Sequence, residues 1–214
     1  MKNNNKLKKI FLLLSLLFIY ILVFFISYAT SVTSDLSNSV FRLHVIANSN
    51  SEEDQNLKYL VRDALLKYMS SISENINTKE EAMLVAQNNI EKFQEIAENV
   101  IIENGYNYSV CVEIGNYSFP TKKYGDISLP AGLYDALRVK IGDASGENWW
   151  CVMFPSLCFV DVSNGYVPEV SKQNLQDSLL PEEYNLISSN NINFKIKFKL
   201  IELFEKANIT TAKK

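Results

Sequence analysis

Residues 10–26 read IFLLLSLLFIYILVFFI, an apolar run broken only by Ser15, and Lys2, Lys6, Lys8 and Lys9 precede it. A stretch that is apolar on every face has no polar side to offer water, so it does not suit the surface helix of a small soluble domain. A basic flank before such a run keeps the amino end in the cytoplasm and directs the remainder of the chain across the membrane. Its 17 residues are slightly long for a cleaved signal and short for a comfortable span. Ser27-Tyr28-Ala29 is a small-x-small pattern that suits cleavage after Ala29, and the lack of a nearby cysteine argues against a lipoprotein anchor. The expected organisation is a signal peptide or membrane anchor over 1–29, a polar linker over 30–39, an exported domain over 40–206 and a polar tail over 207–214.

Export changes the charge balance that matters. Four of the 21 Lys and Arg, and none of the 24 Asp and Glu, fall in residues 1–29, leaving 17 against 24, a formal −7. An acidic exported domain is a poor candidate for nucleic acid or for charge-driven binding to anionic lipid. No second apolar segment reaches spanning length, so the membrane is expected to be met through the amino-terminal segment only.

Beyond the linker, VFRLHVIA at 40–47 is rich in branched residues and reads as a strand. Ser49, Asn50 or Ser51 can cap a following helix, whose first turn is acidic. Leu57, Val61, Leu65 and Met69 then fall on one helical face, with Asp54, Lys58 and Arg62 in a charged row beside it. Thr78-x-x-Glu81 is a capping box opening a second helix that Gly105 closes, so a helical hairpin is expected. The period then changes to two. Tyr108, Val110, Val112 and Ile114 alternate with polar residues up to a turn expected at Gly115-Asn116, with a short partner strand at 117–119. Residues 136–141 and 149–154 read as further strands, antiparallel to each other, and residues 194–204 as a closing helix. The expected fold class is α+β: an amino-terminal strand and helical hairpin packed on an antiparallel sheet, with a closing C-terminal helix.

The residue inventory argues against most catalytic chemistry. His44 is the sole imidazole and lies within a strand, where histidine is more often a structural hydrogen-bonder. Cys111, Cys151 and Cys158 do not show the short spacing of structural zinc knuckles. The glycines form no phosphate-binding loop. No metal, cofactor or small-molecule substrate is therefore expected, and no catalytic residue. In an exported chain Cys151 and Cys158 are natural disulfide partners, closing a short loop worth roughly 2–3 kcal/mol. The sequence alone leaves the pairing open. The sharpest enzymatic alternative is an exported cysteine hydrolase using Cys151 and His44. Trp149 and Trp150 stand side by side on a strand and must face opposite ways, so one can fill a core while the other awaits a cover or a partner.

Two stretches carry a family likeness. One is RLHVIANSNSEEDQNLK at 42–58, running on to VRD at 61–63. The other is LPAGLYDALRV at 129–139, followed by Ile141-Gly142 and GENWWCVMFPSLCFVD at 146–161. Together they resemble stage II sporulation protein R, over roughly residues 40–204. Asn50 stands where the family often has Asp, and Ser156 where it often has a second Pro. The resemblance implies a protein made in the forespore and exported into the space between forespore and mother cell. There it would trigger a membrane-embedded aspartic protease in the mother-cell membrane, which processes the sigma factor E precursor. The family is not known for catalysis of its own. On that reading the candidate partner contacts are His44, Asn48, Asp54 and Arg62 around the first turn, with Trp149 and Trp150.

Overall fold

The computed structural model describes residues 2–73, 76–158, 167 and 169–188. The chain opens with one long helix, α1 (Lys2–Ser39). Its span Lys6–Phe24 is long and apolar enough to cross a membrane, and none of it is buried among the described residues. It fits a signal peptide or membrane anchor. Residues 30–39, expected as a linker, instead form the last turns of this helix. The cause is packing: Leu36 is fully buried in the domain core, and the Ser37 carbonyl accepts 2.8 Å from Lys79 Nζ.

The helical layer follows the sequence closely at its ends. In α2 (Glu52–Ile72) the Ser51 hydroxyl accepts from the Asp54 amide, capping a first turn that carries three acids. Leu57, Val61, Leu65 and Met69 are buried along one side. Burying each such side chain contributes about 1.5–3 kcal/mol. The capping box of Thr78 and Glu81 opens α3 (Lys79–Asn88) as expected. The single helix read from there to Gly105 is, however, two helices, because α4 (Ile90–Glu103) starts afresh after Asn89. The Asn89 side chain donates to the Val85 carbonyl and accepts from Tyr68 Oη at 2.8 Å, so it competes with the helix for its own backbone. Gly105 ends α4 at φ +83°, the left-handed position that favours glycine.

The strands are β1 (Phe41–Ile46), β2 (Val110–Phe119), β3 (Lys122–Tyr124), β4 (Ile127–Leu129), β5 (Gly132–Ile141) and β6 (Asn148–Phe154). Four form one sheet in the order β2-β5-β1-β6, and β3 and β4 form a separate hairpin. Two of the three pairings in the large sheet are antiparallel, while β1 runs parallel to β5. The expected turn at Gly115-Asn116 lies inside β2, which stays paired with β5 from Val110 to Phe119. There Gly115 leaves room for the Tyr117 ring, whose atoms would come within 2.7 Å of an added Cβ. Strands β5 and β6 run in opposite directions as expected, but β1 lies between them. Two further helices, α5 (Glu169–Asp177) and α6 (Pro181–Ser188), follow, and the described residues form an α+β architecture. The closing helix expected at 194–204 and the tail at 207–214 lie outside the described residues.

Strand register sorts the sheet into two faces. Phe41, Leu43 and Val45 share one with Leu137, Val139 and Cys151, and this face packs under α2 and α4 as the main core. The other carries Arg42 and His44 of β1, Arg138 and Lys140 of β5, Glu113 of β2 and Trp150 of β6. The hairpin β3–β4 reaches over one end of it, where Tyr124 Oη accepts 2.8 Å from Arg42 Nη2.

Candidate partner-contact surface

The loop after β1 is knitted to the loop between β5 and β6. Asn48 donates through Nδ2 to Asp54 at 2.8 Å and accepts through Oδ1 from the Asp143 amide at 2.9 Å. Its carbonyl accepts from the Ser145 amide. Ser49 Oγ donates to the same Asp54 carboxylate oxygen at 2.6 Å. Burial opposes ionisation of Asp54, but hydrogen bonds from Ser49, Asn48 and Tyr108 outweigh it and hold the carboxyl below its usual range. The two loops approach so closely that a Cβ on Gly146 would lie 2.2 Å from the Ser49 carbonyl oxygen. Asn48 and Asp54 therefore sit in a shared frame, with Asp54 only 4% exposed.

The charged row on α2 is not a solvated face. Asp54 is bound to the loop, and Lys58 is 1% exposed. Lys58 donates to Gln55 and to the Glu147 carbonyl at 3.1 Å, and desolvation pulls its pKa down. Only Arg62 reaches outward. Its guanidinium lies 4.3 Å above the Trp149 ring and 5.0 Å from the Tyr59 ring, and the two rings meet edge to face at 5.5 Å. Trp149 Nε1 is buried without a hydrogen-bond partner among the described residues. A half-buried Arg over Trp and Tyr is a composition that concentrates binding energy at protein interfaces.

Trp150 faces the other way, as alternation requires. It belongs to a row across the sheet in which Glu113, Arg138, His44 and Trp150 are successive register partners. Arg138 Nε donates to Glu113 at 2.8 Å, and the guanidinium also lies 3.8 Å from the Tyr117 ring. His44 stacks on Trp150 and pairs with Asn148. Arg42 is fully buried, with its guanidinium 4.0 Å from the Phe119 ring and 4.7 Å from the Tyr134 ring. Its Nε and Nη1 have no hydrogen-bond partner among the described residues.

The six candidates thus divide. Asn48 and Asp54 hold the frame, Arg62 and Trp149 meet beside α2, and His44 and Trp150 meet on the opposite sheet face. Arg42, Tyr59 and the Glu113–Arg138 pair were missed by the sequence reading. The signal was available: Arg42-x-His44 and Arg138-x-Lys140 put charge at every second strand position, which marks a face not given wholly to the core.

Cys151 and Cys158 form a disulfide, and Cys111 is an exposed free thiol. Cys151 is the register partner of Leu43, whereas His44 is that of Trp150. The two side chains therefore leave opposite faces of the sheet, and the Cys151–His44 dyad is not assembled.

Comparison with known proteins adds two findings. The sequence model of the family described as stage II sporulation protein R matches residues 37–164. The chain is also 41% identical over 130 residues to stage II sporulation protein R of Bacillus subtilis (strain 168). That match takes in 61% of this chain and 58% of the relative's length. No solved structure matches.

Proposed function

The chain belongs to the stage II sporulation protein R family, and from that premise we propose that it is an exported signal acting by contact during sporulation. In this reading it leaves the forespore and enters the space between forespore and mother cell, free or held by α1. There it binds the extracytoplasmic face of the membrane-embedded aspartic protease in the mother-cell membrane. The activated protease then processes the pro-sigma-E precursor, and the signal makes and breaks no bonds itself.

The observation that carries the reading is the contrast between a fixed loop frame and the half-exposed aromatic groups around it. Asn48, Asp54 and Gly146 lock two loops together, while Arg62, Trp149 and Trp150 remain partly accessible. Such a surface suits recognition. A ligand of this kind shifts its target only through a difference in affinity for the two states, and a 100-fold shift needs about 2.7 kcal/mol. A few aromatic and arginine anchors can supply that. Removal of residues 1–29 would leave Leu36 and Ser37 in place, so the domain keeps these packing contacts whether or not the leader is cleaved.

The test is reconstitution. This protein, the protease and the sigma precursor are co-expressed in a host lacking the pathway, and the precursor is followed for processing. Processing that requires this chain supports the reading; processing that proceeds equally without it, or never occurs with all three present, rejects it.

A further inference from the structure

The four-stranded sheet has two edges, β6 and β2, and they are closed to different extents. Along β6 the outward carbonyls of Trp150 and Val152 are taken by Tyr124 Oη at 3.2 Å and by the Leu157 amide at 3.1 Å. Along β2 the Gln94 side chain of α4 stands in for a strand over one step only. Its Nε2 donates to the Val110 carbonyl at 2.7 Å, and its Oε1 accepts from the Val112 amide at 2.9 Å. We infer that the edge beyond it, over residues 114–118, takes an extended cationic segment of a protein partner as an added strand. The inference deepens the contact reading above and rests on it only for which partner supplies the segment.

The register says which groups are free. The Ser109 carbonyl accepts from the Gly142 amide at 2.8 Å, and the pairing of β2 with β5 then runs unbroken from Val110 to Phe119. Antiparallel neighbours exchange bonds at alternate residues. The odd-numbered residues of β2 therefore turn their backbone groups to β5. Val110, Val112, Ile114, Asn116 and Ser118 turn theirs away, in agreement with the two groups that Gln94 holds. Among the described residues no hydrogen bond reaches the outward amide or carbonyl of Ile114, Asn116 or Ser118. Asn116 and Ser118 are exposed. Donors and acceptors repeating at every second residue are complementary to an extended backbone.

Charge and strand propensity choose the occupant. The Gln94 amide that caps the edge also donates to Glu98 at 2.5 Å. An exposed carboxylate thus stands at the capped end, without an ion pair among the described residues. On the other face the charged residue of β2 is Glu113, and the cations that share it, Arg138 and Lys140, lie one strand further in on β5. An incoming strand meets carboxylates first on both faces, which favours lysine or arginine in it. A second copy is a poorer occupant: a two-fold join of β2 to β2 would put Gly115 and Asn116, both weak strand formers, on each side. The chain's own residues 189–214, with six lysines against two glutamates, are the other rival. The full-length chain carries them, so an edge that they fill would refuse an added peptide.

The test is a capped octapeptide alternating lysine and valine, titrated by calorimetry into the full-length chain in neutral detergent. Saturable binding is expected, weakening with added salt. Two further peptides carry backbone N-methyl groups, one on its lysines and the other on its valines. Only alternate amides of an added strand face β2, so one of these should keep the parent affinity and the other lose about tenfold or more. Ser118→Pro removes an outward N–H and leaves the bonds to β5, and should weaken the parent peptide about fivefold. Should that variant fail to fold, the two methylated peptides decide. No saturable binding, equal affinity of the methylated pair, or equal binding of a glutamate–valine peptide would overturn the edge assignment. A dimer of the full-length chain that Ser118→Pro separates would overturn it too, by giving the edge to a second copy. If the chain drives precursor processing yet the lysine peptide does not bind, the edge assignment falls and the signalling function stands. Backbone-dependent peptide binding supports the edge even where processing fails.

Discussion

The imidazole of His44 lies flat on the indole of Trp150, with ring centroids 3.7 Å apart and planes 15° from parallel. Its Nε2 donates to Asn148 Oδ1 at 2.6 Å, while Nδ1 is buried without a partner among the described residues. Burial is the main reason its pKa falls to about 4; the Asn148 bond opposes this, and Arg138 and Arg42 add to it. The ring is therefore neutral in the folded protein at pH 7, and this arrangement makes the domain sensitive to acid.

The stability carried by neutral His44 is fully present above its unfolded pKa of 6.5 and is lost as pH falls toward about 4. Proton linkage sets the loss at about 3 kcal/mol by pH 4. Urea unfolding measured from pH 7 down to 4 is expected to show this slope, and His44→Gln to flatten it. Asp54, Glu113 and Asp135 all have lowered pKa values, so their contributions are lost below the ordinary carboxylate range and lie under the histidine window.

The loop frame predicts stability defects at Asp54 and Gly146. Asp54→Ala strands the donors of Asn48 and Ser49, a loss of about 1–3 kcal/mol. Gly146→Ala drives a Cβ toward the backbone at Ser49, which must shift, at about 1–3 kcal/mol. Both variants should show lower melting temperatures in thermal denaturation. An unchanged melting temperature in both would remove the frame as an account of these residues.

Arg62→Ala should behave differently. It removes a partly buried guanidinium from Trp149 and Tyr59 and from its ion pair with Asp63 and takes no side chain from the core, so its stability effect should stay at about 1–2 kcal/mol. In the reconstituted system it is expected to lower processing strongly. A normal processing yield with Arg62→Ala would place the contact elsewhere.

The disulfide closes a loop with a sequence separation of 7. Replacing Cys151 and Cys158 together by serine is expected to lose about 2.5 kcal/mol by the chain-entropy estimate. Thiol titration of the native protein, run without reductant, should find one reactive group, Cys111. Two or three reactive thiols would contradict the bridge.

The local elements were legible because their signals are local. The acidic first turn of α2, the Thr78–Glu81 box and Gly105 each depend on residues within one turn of the chain, and each stands where the sequence put it. The helix break at Asn89 was not legible, since it needs the Tyr68 hydroxyl from another helix. Nor was the uninterrupted β2: Gly115-Asn116 has turn composition, and only ten consecutive pairs with β5 keep it extended.

By itself the sequence determined the apolar leader, the helical hairpin's faces and the opposite orientations of Trp149 and Trp150, because periodicity and composition act between near neighbours. The tertiary structure alone decided that β1 lies between β5 and β6, that Asp54 and Lys58 are enclosed, and that Tyr124 of β3 meets the Trp150 carbonyl on β6. These depend on which distant strands pair. That choice follows from burying the whole apolar face of the sheet at once, which no short window of sequence contains.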